Sequence, residues 1–564
     1  MQIESKRARM DRRLSALKTE RTTFESHWRE LVDYFMPRSG RWFLDDTNRG
    51  QKKHQRIIDN TTTRALRTLA SGMMAGLTSP ARPWFRLTTP DPELAEFGAV
   101  KQWLHAVELR MRDVFAKSNL YNALPTAYRE LGLFGTSAVL MLEDDDDTLR
   151  FYPLTVGSYW IAQSSRLDVD TLYRELRFTV RQCVQEFGID NVSVGVADAF
   201  RRGNYEQHVD VIHAIEPNDE RLIGKLGAQG MEWRSCWFEK SCSSAGDASR
   251  FLRESGMREK PFVSPRWDIT GEDTYGSSPG MDALGDGKAL QLQQRRKAQA
   301  VDKMIDPPLM GPTSLRNQRV SLLPGDVTYV DINQQGQALR SIYDVRLDPS
   351  MLLEDTREIQ ARIESTFYAD LFLMLSMSDR RQITAREIEE RHEEKLLMLG
   401  PVLERLNDEM LDPIIDRTFG VMMRNGLLPP PPRELEDVDL KVEYISILAQ
   451  AQKMLGIATI DRFVGFVGQM AAVDPRALDK LDIDQTIDEY ADMTGVSPRI
   501  VRTDDDVDAI RQSRQQQEQM QRMAAMAQPM QQAAQAASTL AQTQPSPDSL
   551  LANLTGGMMG TASA

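Results

Sequence analysis

Apolar positions in this chain recur mostly at helical spacing, with one strand-like interval in the first half. Phe24, Trp28, Leu31, Val32 and Phe35 fall at i, i+4, i+7, i+8 and i+11, which predicts a helix stopped by Pro37. Ile57 to Leu77 predicts a second helix, ending before Ser79-Pro80. Its Gly72 and Gly76 lie four apart and suit either a close helix contact or an ordinary small-residue packing face. Val100 to Phe115 and Leu124 to Phe134 predict two more helices. The period then changes to two. Ser137 to Leu142, Leu149 to Tyr152, Ser158 to Ile161, Val209 to Ile215 and Trp233 to Glu239 read as strands of an α+β region ending near Trp267.

Helical spacing returns at Met281 to Ile305, but this helix is polar. Gln291, Gln293, Gln294, Arg295, Arg296, Lys297 and Gln299 leave only a narrow face to bury. Pro307-Pro308 ends it, and Leu309 to Tyr343 reads as a small loop-and-strand module with a strand-like Val327 to Ile332. Asp348-Pro349 opens the next helix with proline in its first turn. Leu352, Ile359, Ile363, Phe367, Leu371, Met374 and Leu375 share its apolar face; Glu354, Asp355, Glu358, Arg362 and Ser365 share the other. As one helix, Ser350 to Leu375 would span roughly 39 Å. That fits a core helix with one wet face, or a helix that lines a passage. The short charged break Ser376 to Ile383 follows. Thr384-Ala-Arg-Glu387 is a capping box, and Ile388, Leu396, Leu399, Leu403, Leu406 and Met410 carry the next stripe. Gly400-Pro401 and Asp412-Pro413 should kink this helix, and Asn425-Gly426 should close it. Pro429 to Pro432 reads as a stiff linker and Val438 to Thr494 as a compact helical segment. Residues 512–544 are dominated by Gln, Ala and Met and could be helical in an oligomer; the last twenty are expected to be disordered.

At 564 residues the chain exceeds a single core, and two to four substructures are expected. A net charge of -13 excludes a generic clamp on nucleic-acid backbone, while a negative wall would let a polyanion pass without sticking. Three cysteines without a CxxC pair argue against a disulfide framework and fit a reducing compartment. No segment approaches the length of a membrane span, and the basic stretch Met1 to Arg13 lacks the apolar run of a secretory signal. Gly287-Lys288 lacks the rest of a P-loop, and His392-Glu393 is followed by Leu396 where a zinc helix needs histidine. Asp144 to Asp147 could hold a metal, but without interleaved ligands they read better as a solvated turn. No catalytic residue, metal or cofactor emerges.

Several blocks fall in order along the chain: Trp28-Arg-Glu-Leu-Val-Asp-Tyr-Phe-Met-Pro-Arg38; Leu69-Ala-Ser-Gly-Met-Met-Ala-Gly-Leu-Thr-Ser-Pro80 with Pro83-Trp84-Phe85; Thr179 to Gly188; Val211 to Pro217; Trp267 with Gly271 to Pro279; Thr384 to Ile388; and Leu399 to Leu406. In this shared order they resemble the portal, or head-to-tail connector, proteins of short-tailed bacteriophages (podoviruses). The run Glu272-Asp-Thr-Tyr275 carries one residue more than the family's tighter Gly-Glu-x-Tyr-Gly spacing. The likeness extends over most of residues 1 to about 500.

The resemblance implies an α+β, predominantly helical portal-type fold of wing, stem, clip and crown, assembling as a ring, typically a dodecamer. Residues 1–280 would be wing, 281–306 a stem helix, 307–348 the clip, 349–375 the stem or channel helix and 376–383 the tunnel loop. Residues 384–428 would be the long kinked wing helix, 429–503 the crown and 504–564 a helical tail or barrel with a disordered C-terminus. The tunnel loop comprises Ser376, Met377, Ser378, Asp379, Arg380, Arg381 and Gln382. Arg380 and Arg381 would touch DNA backbone transiently, or are simply solvated charges at a helix start. Channel-facing candidates are Glu354, Asp355, Glu358, Arg362 and Ser365. Clip candidates for partner contacts are Arg316, Asn317, Arg319, Asp326 and Asp331. Implied partners are further copies of the chain, double-stranded DNA without sequence readout, the terminase large subunit, tail adaptor or nozzle proteins, and the major capsid and scaffolding proteins. The expected location is the capsid vertex at the head–tail junction of the virion, after assembly in host cytoplasm, with no membrane partner. Two alternatives are a packaging enzyme, an ATPase or nuclease, which lacks its motif here, and an internal scaffolding or adaptor protein, which would lack the strand-rich region.

Overall fold

The computed structural model of the chain describes residues 5–40, 42, 55–91, 94, 97–225, 227–240, 250–305, 309–310, 340–341, 349–377, 398–435, 440–445, 460, 462–472, 474, 476, 480–494, 502 and 507–521. These form two compact units, one of Met1–Ala95 with Ala99–Leu481, the other of Glu96–Gly98 with Asp482–Ala564.

The first unit opens with α1, Lys6–Phe35, capped by Ser5, whose hydroxyl accepts from the Ala8 N–H at 3.2 Å. The expected stripe from Trp28 to Phe35 is buried in the main core. The helix begins earlier than that stripe suggests. Met10, Leu14 and Leu17 lie at i, i+4 and i+7 and pack on Trp160, Tyr173, Ile212, Cys236 and Phe238. The basic residues of this end belong to the same contact: Arg7 sits 3.7 Å above the Phe238 ring and Arg21 4.3 Å above Trp160.

Helices α2 (Thr61–Leu77), α3 (Gly98–Lys117) and α4 (Leu120–Phe134) follow, with the short strand β1 (Phe85–Thr88) between α2 and α3. Gly135 closes α4 at φ +74°, in the left-handed region. A β-carbon there would lie 2.2 Å from the carbonyl oxygen of Gly276, so two glycines permit this crossing.

The strand-rich region makes two antiparallel sheets. β2 (Ala138–Asp144) lies between β3 (Thr148–Leu154) and β9 (Phe262–Val263). The Asp144 to Asp147 turn joins β2 and β3, and Asp144 Oδ1 accepts from the N–H groups of Asp146 and Asp147, both at 3.0 Å. The second sheet runs β4 (Tyr159–Gln163), β5 (Val169–Thr179), β6 (His208–Pro217), β7 (Trp233–Glu239) and β8 (Arg253–Met257) in order. Helix α1 covers one face; α5 (Val180–Phe187) and α6 (Val194–Arg201) cover the other around Cys183, Val211 and Trp237. The capping box at Thr179 starts α5 directly from the end of β5.

The polar helix α7, Leu284–Ile305, buries only Leu284, Gly287, Leu290 and Gln291, the narrow face expected. The chain then enters β10 (Leu309–Met310) and returns through β11 (Arg340–Ser341), which pair antiparallel. The expected strand Val327 to Ile332 lies outside the described residues.

Three expectations need correction. The single helix from Ser350 to Leu375 is two: α8 (Pro349–Thr366) and α9 (Ala369–Met377). Tyr368, at φ +52°, turns the chain between them; this keeps Phe367 fully buried and sets Tyr368 against Trp267, ring centroids 6.3 Å apart. A helical wheel cannot register one left-handed residue between two apolar stretches. Next, helical residues run unbroken through Gly400-Pro401 from 398 to 406, and the distortion falls later, as a π turn at Asn407–Leu411. Pro413 lacks an N–H and its ring would crowd the carbonyl of Glu409, and the wider turn relieves both problems before α10 (Asp412–Arg424). Finally, the segment from Val438 is not purely helical. β12 (Lys441–Tyr444) pairs with β1 in the register Phe85↔Tyr444. Four residues are too few to show a period, and the partner is remote in sequence.

In the second unit, α11 (Ile483–Thr494) and helical residues 507–521 are joined by Arg511, whose guanidinium meets both carboxylate oxygens of Asp484 at 2.6 and 2.8 Å.

Candidate functional site

The antiparallel helices α7 and α8 carry the segment singled out by the sequence. Each begins with the chemistry expected of it. A short helical turn, Pro279–Asp282, precedes α7 and is capped by the Ser278 hydroxyl, which accepts from Met281 at 3.2 Å. Proline opens α8. The buried side of α8 is Thr356, Ile359 and Ile363, and Phe367 continues it past the helix end. Phe372 of α9 lies on α2 where Gly72 offers no side chain; a β-carbon at Gly72 would be 2.1 Å from the Phe372 ring. The small residue is therefore both a packing face and a close helix contact.

The two helices are fastened to the start of α2 by polar groups centred on Asp59. Its Oδ1 accepts from the Thr61 N–H at 2.8 Å and the Thr61 hydroxyl at 2.6 Å. Its Oδ2 accepts from Gln294 of α7 and Gln360 of α8, both at 2.9 Å. Gln291, 4% exposed, accepts from the N–H groups of Ile58 and Asp59 at 2.7 and 2.9 Å and donates to the Asp59 carbonyl at 2.8 Å. Burial opposes the Asp59 charge, but the hydrogen bonds from Thr61, Gln360 and Gln294 outweigh it and hold the carboxyl below its ordinary value. The sequence reading noted the glutamines of α7 as mere polarity and missed Asp59 and Gln360. Their only signal was an Asp-Asn-Thr start to α2.

All five channel candidates, Glu354, Asp355, Glu358, Arg362 and Ser365, are exposed. Two of them also serve the helix pair. Arg362 donates to Asp286 of α7 at 3.0 Å as well as to Glu358 at 3.3 Å, and Asp355 accepts from Gln293 of α7. The Asp286 hydrogen bond is the main reason the Arg362 guanidinium is held above its usual value. Of the loop residues, Ser376 and Met377 end α9, while Ser378, Asp379, Arg380, Arg381 and Gln382 lie outside the described residues. So do Arg316, Asn317, Arg319, Asp326 and Asp331; the described part of their module is the β10–β11 pair at its base.

A second feature was not foreseen. A cleft of about 420 Å³ lies between the β4–β5 turn and the π turn, lined by Asp168, Asp170, Trp233, Lys260, Asp408 and Glu409 among others. Glu409 is committed to Arg266, which reaches it at 2.6 Å and also donates to Gln163 and to the Leu167 carbonyl. Burial lowers the Lys260 ammonium from its usual value. No nucleophile–base pair lines this cleft, and among the described residues no group of three potential ligands could hold a metal ion.

Blocks distant in sequence meet in the core near these helices. The Tyr275 ring lies 5.2 Å from Trp28 and 5.3 Å from Phe24, and its hydroxyl accepts from the Ile161 N–H at 3.2 Å. The longer Glu272 to Tyr275 turn still delivers its tyrosine to the aromatic core.

The family model for the bacteriophage head to tail connecting protein matches residues 7–501. The portal protein of Salmonella phage epsilon15 is 49% identical over 510 residues, covering 90% of this chain and 91% of that one. The probable portal protein of Bordetella phage BPP-1 is 50% identical over 500 residues, 89% of each chain. Among solved structures, a chain of the virion of native gene transfer agent particle covers 78% of this chain and 90% of its own at 9% identity, with a TM-score of 0.36. The chain belongs to the family of bacteriophage head-to-tail connecting proteins. Its function is that of a phage portal, a structural connector of head and tail.

Proposed function

We propose that copies of the chain close into a ring, of twelve subunits as the family resemblance implies, around a channel for double-stranded DNA at one capsid vertex. The observation that carries this reading is the stem. Two helices with narrow buried faces leave the core past the Asp59 fastening, lead into a module closed at its base by β10 and β11, and keep their outer sides exposed. A monomer has no use for such a polar two-helix extension; a ring turns it into a wall. Repetition multiplies the charge of -13, and a wall of that sign repels phosphate and limits sticking. Residues 307–348 then form the outward clip, on which the terminase large subunit docks during packaging and tail adaptor or nozzle proteins dock afterwards. Residues 376–383 project into the channel, and the wing faces the capsid and scaffolding proteins. Assembly takes place in the host cytoplasm. The protein contributes no chemistry and no cofactor of its own.

Electron microscopy of the purified protein with two-dimensional class averaging tests this directly. Closed rings with a lumen wide enough for duplex DNA are expected. A monodisperse monomer or dimer, unchanged on concentration, would remove the reading.

A further inference from the structure

We propose that the contact between neighbouring copies in the stem is an ion-pair seam, formed by a positive stripe on α7 of one copy and a negative stripe on α8 of the next. The inference rests on the ring reading and names the faces that close it. On α7, Leu292, Arg296, Gln299 and Lys303 lie at i, i+4, i+7 and i+11, and all four are exposed. On α8, Glu354, Glu358, Ala361 and Ser365 lie at the same spacing and are likewise exposed. One further face of each helix is occupied. Gly287, Leu290 and Gln291 of α7 turn into the core, and Asp286 and Gln293 reach α8. Thr356, Ile359 and Ile363 of α8 turn inward, and Asp355 and Arg362 reach α7. Arg295 and Asp302 of α7 and Leu353 and Arg357 of α8 are exposed as well, and the two stripes are the exposed faces on which each helix presents charges of a single sign.

Three of their four charges are also unused. Arg296, Lys303 and Glu354 have no partner among the described residues. Glu358 has Arg362 at 3.3 Å, a side chain shared with Asp286 at the shorter distance of 3.0 Å. The matching partner must carry both signs at helical spacing. Duplex DNA would suit the positive stripe and be repelled by the negative one beside it. A second copy of this chain offers both stripes. With one neighbour on each side, every copy uses its positive stripe toward one and its negative stripe toward the other, the head-to-tail arrangement that closes a ring. Exposed ion pairs add little strength individually, so the seam acts on register and direction, with bulk affinity coming from elsewhere in the subunit. Glu354 and Glu358 are thereby moved from the channel to the subunit boundary.

The test is charge reversal and its repair in the full chain. Three variants are needed: Arg296→Glu with Lys303→Glu, Glu354→Lys with Glu358→Lys, and all four together. Ring fraction is read by mass photometry at equal protein concentration and low ionic strength, with circular dichroism to verify folding. Each double variant should lose rings by about tenfold or more, because like charges then face each other at every boundary. The fourfold variant should recover them, because the signs are exchanged and still complementary. Doubles that assemble like the wild type would overturn the seam, as would a fourfold variant no better than the doubles. Rings that persist in the doubles but change in DNA retention would overturn it too, placing the stripes in the lumen. A wild type that stops at a dimer, itself lost on reversal, would keep the seam and remove the ring.

Discussion

At the residue scale, two positions carry consequences that contact alone would not suggest. Gly72 is one: with Phe372 where its β-carbon would be, Gly72→Val must displace a ring packed in the core. The expected cost is about 1–3 kcal/mol, seen as a lower urea midpoint at unchanged slope, and Phe372→Ala in the same chain should be less than additive with it. An unchanged midpoint would show that α9 yields freely. Glu130 is the other. Only 2% exposed, it accepts from the Ser39 hydroxyl at 2.8 Å and the Val156 N–H at 3.0 Å. Burial, only partly offset by those bonds and by Arg129, pushes its carboxyl up to about 7. A raised folded value means that the folded state holds the proton more tightly. The associated stability is complete below the ordinary glutamate value of 4.5 and is lost as pH rises through about 7. The effect is on the order of 3 kcal/mol. Glu130→Gln should flatten the decline in unfolding free energy between about pH 5 and pH 8. A decline as steep in the variant would assign it to other groups.

At the element scale, one carboxylate sits where α7 and α8 are fastened to α2. Asp59 joins α2, α7 and α8 through bonds from Thr61, Gln294 and Gln360. Asp59→Ala leaves two glutamine amides and the first turn of α2 without their acceptor, at a cost of about 1–3 kcal/mol. Amide hydrogen exchange should then quicken in 284–305 and 349–366 more than in the five-stranded sheet. Uniform quickening would make Asp59 an ordinary core contact. The helices themselves were largely legible, because their periods are long and their caps local: Ser5, Thr179 and Pro349 act at the ends they mark. The Tyr368 turn, the π turn before Pro413 and the β1–β12 pair were not. Each is decided by what a few residues meet across the fold.

At the scale of the whole molecule, β12 ties residues far along the chain back to β1, whereas the second unit is made, apart from Glu96–Gly98, of the chain from Asp482 onward. Truncation after Leu481 should therefore leave the unfolding midpoint of the first unit in place. Truncation after Leu435, which removes β12, should lower it by about 3 °C or more. Equal midpoints would reduce the β1–β12 pair to a surface contact. On the proposed ring reading, replacing Arg380 and Arg381 with Ala should leave rings intact while changing DNA packaging or retention. Unchanged packaging would make 376–383 a spacer.

The sequence by itself determined most of the long helices, the strands β2, β3, β4, β6 and β7, the narrow buried face of α7, the exposed polar side of α8 and the family, because period, caps and ordered motif blocks are local or linear properties. It also placed Glu354, Asp355, Glu358, Arg362 and Ser365 correctly on a wet face. Only the tertiary structure decided that Asp355 and Arg362 are tied to α7, that Asp59 collects three elements, and that Trp28, Ile161 and Tyr275 share a core. Those facts depend on which surfaces meet, and a side chain's partner across the fold leaves no trace in the spacing of its own segment.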